Sequence, residues 1–435
     1  MNTSNRSVRF ARRVSFLALG AIALGTSPAV AGLDNSVWPM FQHDPQHSGR
    51  ATVNGPQGPT PQVQWNYRSD SRVKSSPTIG SDGTIYLGNG KRPLTALDPD
   101  TGTEIWNANV QPFTGKPKAG LADHSQPAVS DDGRVFMGAR DNNFWAFFTG
   151  TEPGDTAGDV DWTYHVPHDG DVTVSATIAQ DGTVYLGSEA LGAGWFYAMN
   201  PDGTFKWPNS AEVEDGKVIL RGSLKNISPA LNLDESIVYV STKRDAIAYR
   251  TSDGHELWRR EIADKGFGSL APNYTATVSN DGQVVYFISK EGLWAFDAET
   301  GADVWDEPFV PPFPEGSSKR EELKSAPSIG ADGTIYVGAS KAKASSHFYA
   351  LNPADGSVEW AYAHTTPGAY INNQAAIGAD GTIYVGLGIT VFAFNPNGTL
   401  KWSMLLPGKM ESGPVIGGDG VLYIGASKRL FKITD

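Results

Sequence analysis

A seven-residue phrase returns along this chain at an almost fixed distance. It reads Asp82-Gly83-Thr84-Ile85-Tyr86-Leu87-Gly88, recurs with small changes from Asp132, Asp181, Asp332, Asp380 and Asp419, and persists in weaker form from Asp234 and Asp281. The eight copies are separated by 39 to 53 residues. That period is the length of one four-stranded propeller blade, and eight lies within the usual range of blade numbers. The expected fold is therefore an all-β, eight-bladed propeller of antiparallel blades.

Each copy has the same internal order. A short apolar strand such as Ser76-Pro77-Thr78-Ile79 leads into the Asp-Gly pair. That pair makes a hairpin turn, because Gly accepts positive φ and the Asp side chain bonds the turn backbone. A second strand follows (Ile85-Tyr86-Leu87), then a third (Leu94-Thr95-Ala96-Leu97), a second turn (Asp98-Pro99-Asp100-Thr101-Gly102) and a fourth strand ending at Trp106. The equivalent tryptophans are Trp65, Trp162, Trp207, Trp258, Trp305, Trp360 and Trp402, whereas Trp145, Trp195 and Trp294 fall in third strands as core.

The two ends of the repeat array are complementary. The last copy supplies three strands and stops at Asp435, while Pro61-Gln62-Val63-Gln64-Trp65 reads as a fourth strand with no preceding three. Pairing them closes the ring and removes an exposed sheet edge. The positions four and five before each turn aspartate are small or compact, as required where eight strands converge. The position three before is Ile, Val or Leu in every copy and is expected to be buried.

The run Ala96-x-Asp98-x-x-Thr101-Gly102-x-x-x-Trp106, repeated at Ala295-x-Asp297-x-x-Thr300-Gly301-x-x-x-Trp305, resembles the tryptophan docking motif of quinoprotein-type, PQQ-like propellers. Trp38-Pro39-Met40-Phe41-Gln42-His43-Asp44, with Ser48-Gly49, is similar to the lead-in of exported proteins built from such repeats. The resemblance covers about residues 62 to 435 and implies packing of each Trp on the adjacent blade. That family includes pyrroloquinoline-quinone dehydrogenases and the non-catalytic propeller subunit of the outer-membrane β-barrel assembly machinery. The dehydrogenases usually carry a vicinal disulfide and longer pocket-building loops, and this sequence has no cysteine. The resemblance thus favours a binding or scaffold protein, with a PQQ-and-calcium dehydrogenase as the alternative.

Residues 1–31 are expected to be a signal peptide: Arg6, Arg9, Arg12 and Arg13 precede the apolar run Val14 to Leu24, and Ala29-Val30-Ala31 supplies small residues for cleavage. Loss of those four arginines takes the formal charge from −12 to −16. An acidic, exported protein, periplasmic or secreted, is expected, and a monomer. Its charge argues against nucleic-acid or anionic-membrane binding; no transmembrane segment is expected, and without cysteine no lipidated cysteine. Residues 32–61 form a lead-in and 62–435 the propeller.

Candidate function concentrates eight residues before each turn aspartate, where every copy is polar: Lys74, His124, Thr173, Asn226, Asn273, Lys324, Asn372 and Glu411. If that position begins the innermost strand, the eight side chains form one ring at the channel mouth, where propellers commonly bind ligands. Two lysines and a histidine against one carboxylate point to an anionic or polyhydroxylated ligand; a solvated funnel is the plain alternative. A polysaccharide-active enzyme using Lys74, His124, Tyr274 and Lys324 is a further reading. His43 and His47 flank Asp44 at helical spacing, but Pro45 and Gly49 favour an irregular loop over a metal site. His165, His168, Asp169 and Asp171 cluster in one interblade loop, which fits either a cation site or a polar surface.

Overall fold

The computed structural model describes residues 32–435 apart from 91, 109, 111–124, 168–169, 191, 223, 225–226, 243, 263–274, 290–291, 313–319, 342–344, 365–369 and 419. The expected signal peptide, residues 1–31, lies outside the described residues. Eight antiparallel sheets follow one another around a ring, an eight-bladed β-propeller. In blade 1 the strands run Thr78–Ile79, Ile85–Asn89, Arg92–Leu97 and Glu104–Asn107 from the axis outwards. The first strands of neighbouring blades touch one another.

The turn chemistry works as the sequence predicts. Gly83 takes φ 84°, and the Asp82 carboxylate accepts the Thr84 amide at 2.9 Å. The same bond recurs from Thr183, Thr334 and Thr382 to the aspartate two residues before each. The ring also closes as expected. Gln62–Arg68 pairs antiparallel with Arg429–Thr434, Gln62 opposite Thr434 and Arg68 opposite Arg429.

Around the perimeter one aromatic contact is repeated eight times. The Tyr or Phe of the second strand and the Trp of the fourth meet at 5.6 to 6.1 Å between centroids, their planes inclined by 38° to 49°. Seven of the indoles also reach the next blade. Trp258, for example, donates Nε1–H to Ala298 O at 3.1 Å, and a Cβ on Gly301 would lie 2.7 Å from its ring. Trp402 finds no such turn ahead of it, because the last blade is split between the two chain ends. It donates instead to Pro56 O at 3.0 Å, and Tyr384 donates its hydroxyl to the same carbonyl.

Three blades depart from the expected four regular strands; in blade 6 an extra strand, Glu322–Leu323, pairs with Ile335–Lys341 beside the inner strand. In blade 3, Phe205 makes a single bridge to Met199, and the place beside Ala193–Met199 is taken by Lys217–Arg221 from an inserted hairpin. Trp207 is still buried but off the ladder, with Pro208 next to it lacking the N–H that would extend the strand. In blade 5 the outer position is held by isolated bridges, Phe296 to Asp303 and Leu293 to Phe309, with Pro308 between them. Trp145 and Trp195 are core as expected, while Trp294 is half-buried.

Candidate functional site

The innermost strand of a blade is a sheet edge facing the axis, so its amides need partners. Here each regular inner strand is only two or three residues long. The position eight before the turn aspartate therefore precedes the strand instead of beginning it. The physical reason lies in the local sequence: Pro at the position five before, in blades 1, 2, 4, 6 and 8, cannot donate to a ladder.

At one end of the axis the amides are capped by the lead-in segment. The amide three before the turn aspartate donates to this segment in six blades: Ile79 to Trp38 O, Val129 to Pro39 O, Leu231 to Pro45 O, Val278 to Gln46 O, Ile329 to Ser48 O and Ile377 to Gly49 O, all at 2.8 to 2.9 Å. One strand of chain thus crosses the end of the channel. Its polar side chains are buried with it: Gln42 Nε2 donates to Pro327 O at 2.7 Å, and His47 Nδ1 lies 3.0 Å from Ala276 O. Burial holds the His47 imidazolium down to a pKa of about 4, so the ring is neutral near pH 7. The segment is irregular, with positive φ at Gln42, His43 and His47, and the two histidines do not converge. Among the described residues no three His, Asp or Glu side chains form a metal site.

Small hydroxyl residues tie the inner strands to each other. Thr78 Oγ1 donates to Pro127 O at 2.6 Å, Thr277 to Pro327 O and Ser328 to Ala375 O, with Thr177 bonding Pro229 O in the same way. Four of the residues that are small for lack of room are thereby interblade donors.

Next to the seal the axis holds a cavity of about 60 Å³, lined by Phe41, Lys74, Ser75, Ser76, Gln126, Ser175, Asn372, Gln374, Glu411 and Gly413. Three of the eight sequence candidates, Lys74, Asn372 and Glu411, come together here. Thr173 is 2% exposed and does not line it. Lys324 is also absent from the lining and pairs with Glu322 at 2.6 Å. His124, Asn226, Asn273 and Tyr274 lie outside the described residues, as do His168 and Asp169. His165 and Asp171 are engaged separately, with Asn143 and Arg140.

The residues that sequence reasoning missed stand one and two positions further along, and they line the cavity more deeply. Gln126 is 2% exposed and donates Nε2–H to Pro77 O and Met40 O, which ties blades 1 and 2 to the seal. Gln374 reaches across blade 8 to Ser76 Oγ; it packs on Gly413, where a Cβ would fall 2.6 Å away. A signal was present: six positions before the turn aspartate six of the eight blades are polar, with Ser76, Gln126, Ser175, Ser228, Thr275 and Gln374, and the other two carry Ala326 and Gly413.

Ring, turn phrase and interblade indoles together define a PQQ-like β-propeller. The chain belongs to the family described as outer membrane protein assembly factor BamB, whose model matches residues 49–307 and 318–435. No curated protein matches the sequence. Solved structures show the same fold. BamB from Moraxella catarrhalis superposes with TM-score 0.60 at 17% identity over 86% of this chain and 100% of its own. A quinohemoprotein alcohol dehydrogenase from Comamonas testosteroni gives 0.71 at 14% over 91% and 80%. A europium-containing methanol dehydrogenase gives 0.65 at 12% over 92% and 98%.

The axial cavity does not fit a quinone with calcium. The cavity is far below the roughly 300–1,000 Å³ of ordinary small-molecule sites. Calcium takes about six to eight oxygens, usually with several carboxylates. The lining offers one carboxylate, Glu411, whose Oε1 lies 3.2 Å from Arg72, and it includes the basic residue Lys74. Among the described residues no helix is long and apolar enough to cross a membrane.

Proposed function

We propose that this protein is an exported, non-catalytic scaffold that holds a protein partner. The observation that carries the reading is the axis itself: one end is crossed by residues 38–49, and the other narrows to a small cavity of amides and serines. A quinone enzyme needs that space for its cofactor. A polysaccharide-cleaving enzyme needs a paired acid and base there, and Glu411 is the one carboxylate among the lining residues. The BamB family match and the BamB likeness support a protein partner. In this reading residues 1–31 act as a cleaved signal peptide, and the perimeter tryptophans act as docking groups between blades.

Two measurements on the purified mature protein test it. Crosslinking in the cell envelope is expected to capture a protein in stoichiometric amount. Incubation with pyrroloquinoline quinone and calcium is expected to give neither a bound chromophore nor dye-linked alcohol oxidation. Turnover in the second assay overturns the proposal in favour of a dehydrogenase.

A further inference from the structure

The axial cavity holds an imbalance of hydrogen-bonding capacity. Ser75 Oγ, Gln126 Oε1, Asn372 Oδ1 and Glu411 Oε2 line it, and each is buried without a partner; Asn373 Oδ1, one residue on from Asn372, is the same. Buried polar atoms are almost always satisfied, so a cluster at one point demands an explanation. The Gln126 and Gln374 amide nitrogens beside them are used, by two carbonyls and by Ser76 Oγ. Of the unmet atoms the amide and carboxylate oxygens only accept, while the Ser75 hydroxyl can donate as well as accept.

That asymmetry selects the ligand chemistry. An anion would bring further acceptors to acceptors. A cation would meet one carboxylate already shared with Arg72, in a lining that also contains Lys74. A neutral polyol supplies O–H donors without a net charge, and Phe41 in the lining offers an apolar face to C–H groups. We infer that the cavity binds the vicinal-hydroxyl edge of a neutral sugar, two or three adjacent hydroxyls donating to Gln126, Asn372 and Glu411. About 60 Å³ accepts such an edge and not a whole oligosaccharide. The inference rests on the non-catalytic reading of the axis, since it gives Glu411 an acceptor's role and no proton to move.

The test is calorimetric titration of the mature protein with D-glucose and myo-inositol, with sulfate and methylammonium as charged probes. At least one polyol is expected to saturate, and neither ion. Asn372→Leu should weaken polyol binding about fivefold to tenfold, the loss of one hydrogen bond. Glu411→Gln keeps a carbonyl acceptor and should change affinity less than about threefold. A free sugar and the terminal residue of a glycan present the same edge. Cellotetraose binding at least about tenfold tighter than glucose identifies the glycan, and equal affinity the free sugar. No saturation by either polyol, binding indifferent to Asn372→Leu, or saturation by sulfate or by methylammonium overturns the inference. If Asn372→Leu does not fold, Phe41→Leu replaces it and is expected to weaken polyol binding at least threefold or so. Dye-linked oxidation on the same samples reads the scaffold proposal separately, because it requires no polyol binding at this cavity.

Discussion

The two ends of the propeller axis solve one problem in opposite ways. At the sealed end the edge amides of six inner strands are each matched by a carbonyl of residues 38–49, and Trp38 and Met40 are buried in the process. At the open end side-chain oxygens from blades 1, 2, 7 and 8 are left over around a polar cavity. Backbone satisfied by backbone gives stability and no freedom to bind. Side chains left unsatisfied cost stability and leave a capacity that a ligand or water can meet. The contrast locates structure at one end and recognition at the other.

The strongest way to break this comparison is to remove the seal. Deleting residues 32–54 should cost more than about 5 kcal/mol, since it strips six hydrogen bonds and the burial of Trp38. Chemical denaturation measures it, and an unchanged midpoint would make the segment a passive strap. Trp305→Ala acts on the perimeter, away from both ends, and should cost about 3–5 kcal/mol while leaving polyol affinity unaltered.

Acid should loosen the sealed end selectively. His47 titrates near 6.5 when unfolded and at about 4 when buried. The unfolded chain therefore takes up the proton first as pH falls. Above pH 6.5 the contribution of His47 is fully present; between 6.5 and 4 it is progressively lost, on the order of 3 kcal/mol in all. Burial is the largest cause; the contact to Ala276 O and the charge of Asp44 favour the imidazolium but do not offset it. Amide exchange at residues 38–49 should accelerate over that window, and His47→Leu should abolish the dependence. The smallest effect is expected at the open end. Lys74→Met with Lys324→Met should change stability by less than about 1 kcal/mol, because partly exposed ion pairs such as Lys324–Glu322 contribute little.

Legibility followed periodicity. The turn phrase, the eight tryptophans and the unpaired strand at Gln62 all repeat or complement a repeat, so blade number and ring closure could be read directly. The seal could not. Residues 38–49 have no period and read as an irregular lead-in, yet Gln42, His47 and Ser48 are 0%, 0% and 5% exposed. Their burial depends on edge amides that sequence does not display. Blade 3 misled for a related reason: Trp207 marks a fourth strand, but Pro208 and the hairpin beyond it transfer that place to Lys217–Arg221. At the cavity, alignment found Lys74, Asn372 and Glu411 but assumed a regular strand starting there. The prolines shorten that strand, and the more deeply placed Gln126 and Gln374 went unremarked.

The bond from Trp402 to Pro56 bears on the order of assembly. Strand Gln62–Arg68 is among the first parts of the propeller to be synthesised, and its partner Arg429–Thr434 is the last. Seven blades can form while the chain is still growing, but the eighth waits for its final residues. Until then the early strand has no ladder to join, and Pro56 and Trp402 have no fixed distance between them. The finished ring therefore has a seam, the one place where closure spans nearly the whole chain and where loop-closure entropy weighs most against re-forming a lost contact. Unfolding should begin at that seam, and loss of even the last few residues should act on the first blade as well as on the last.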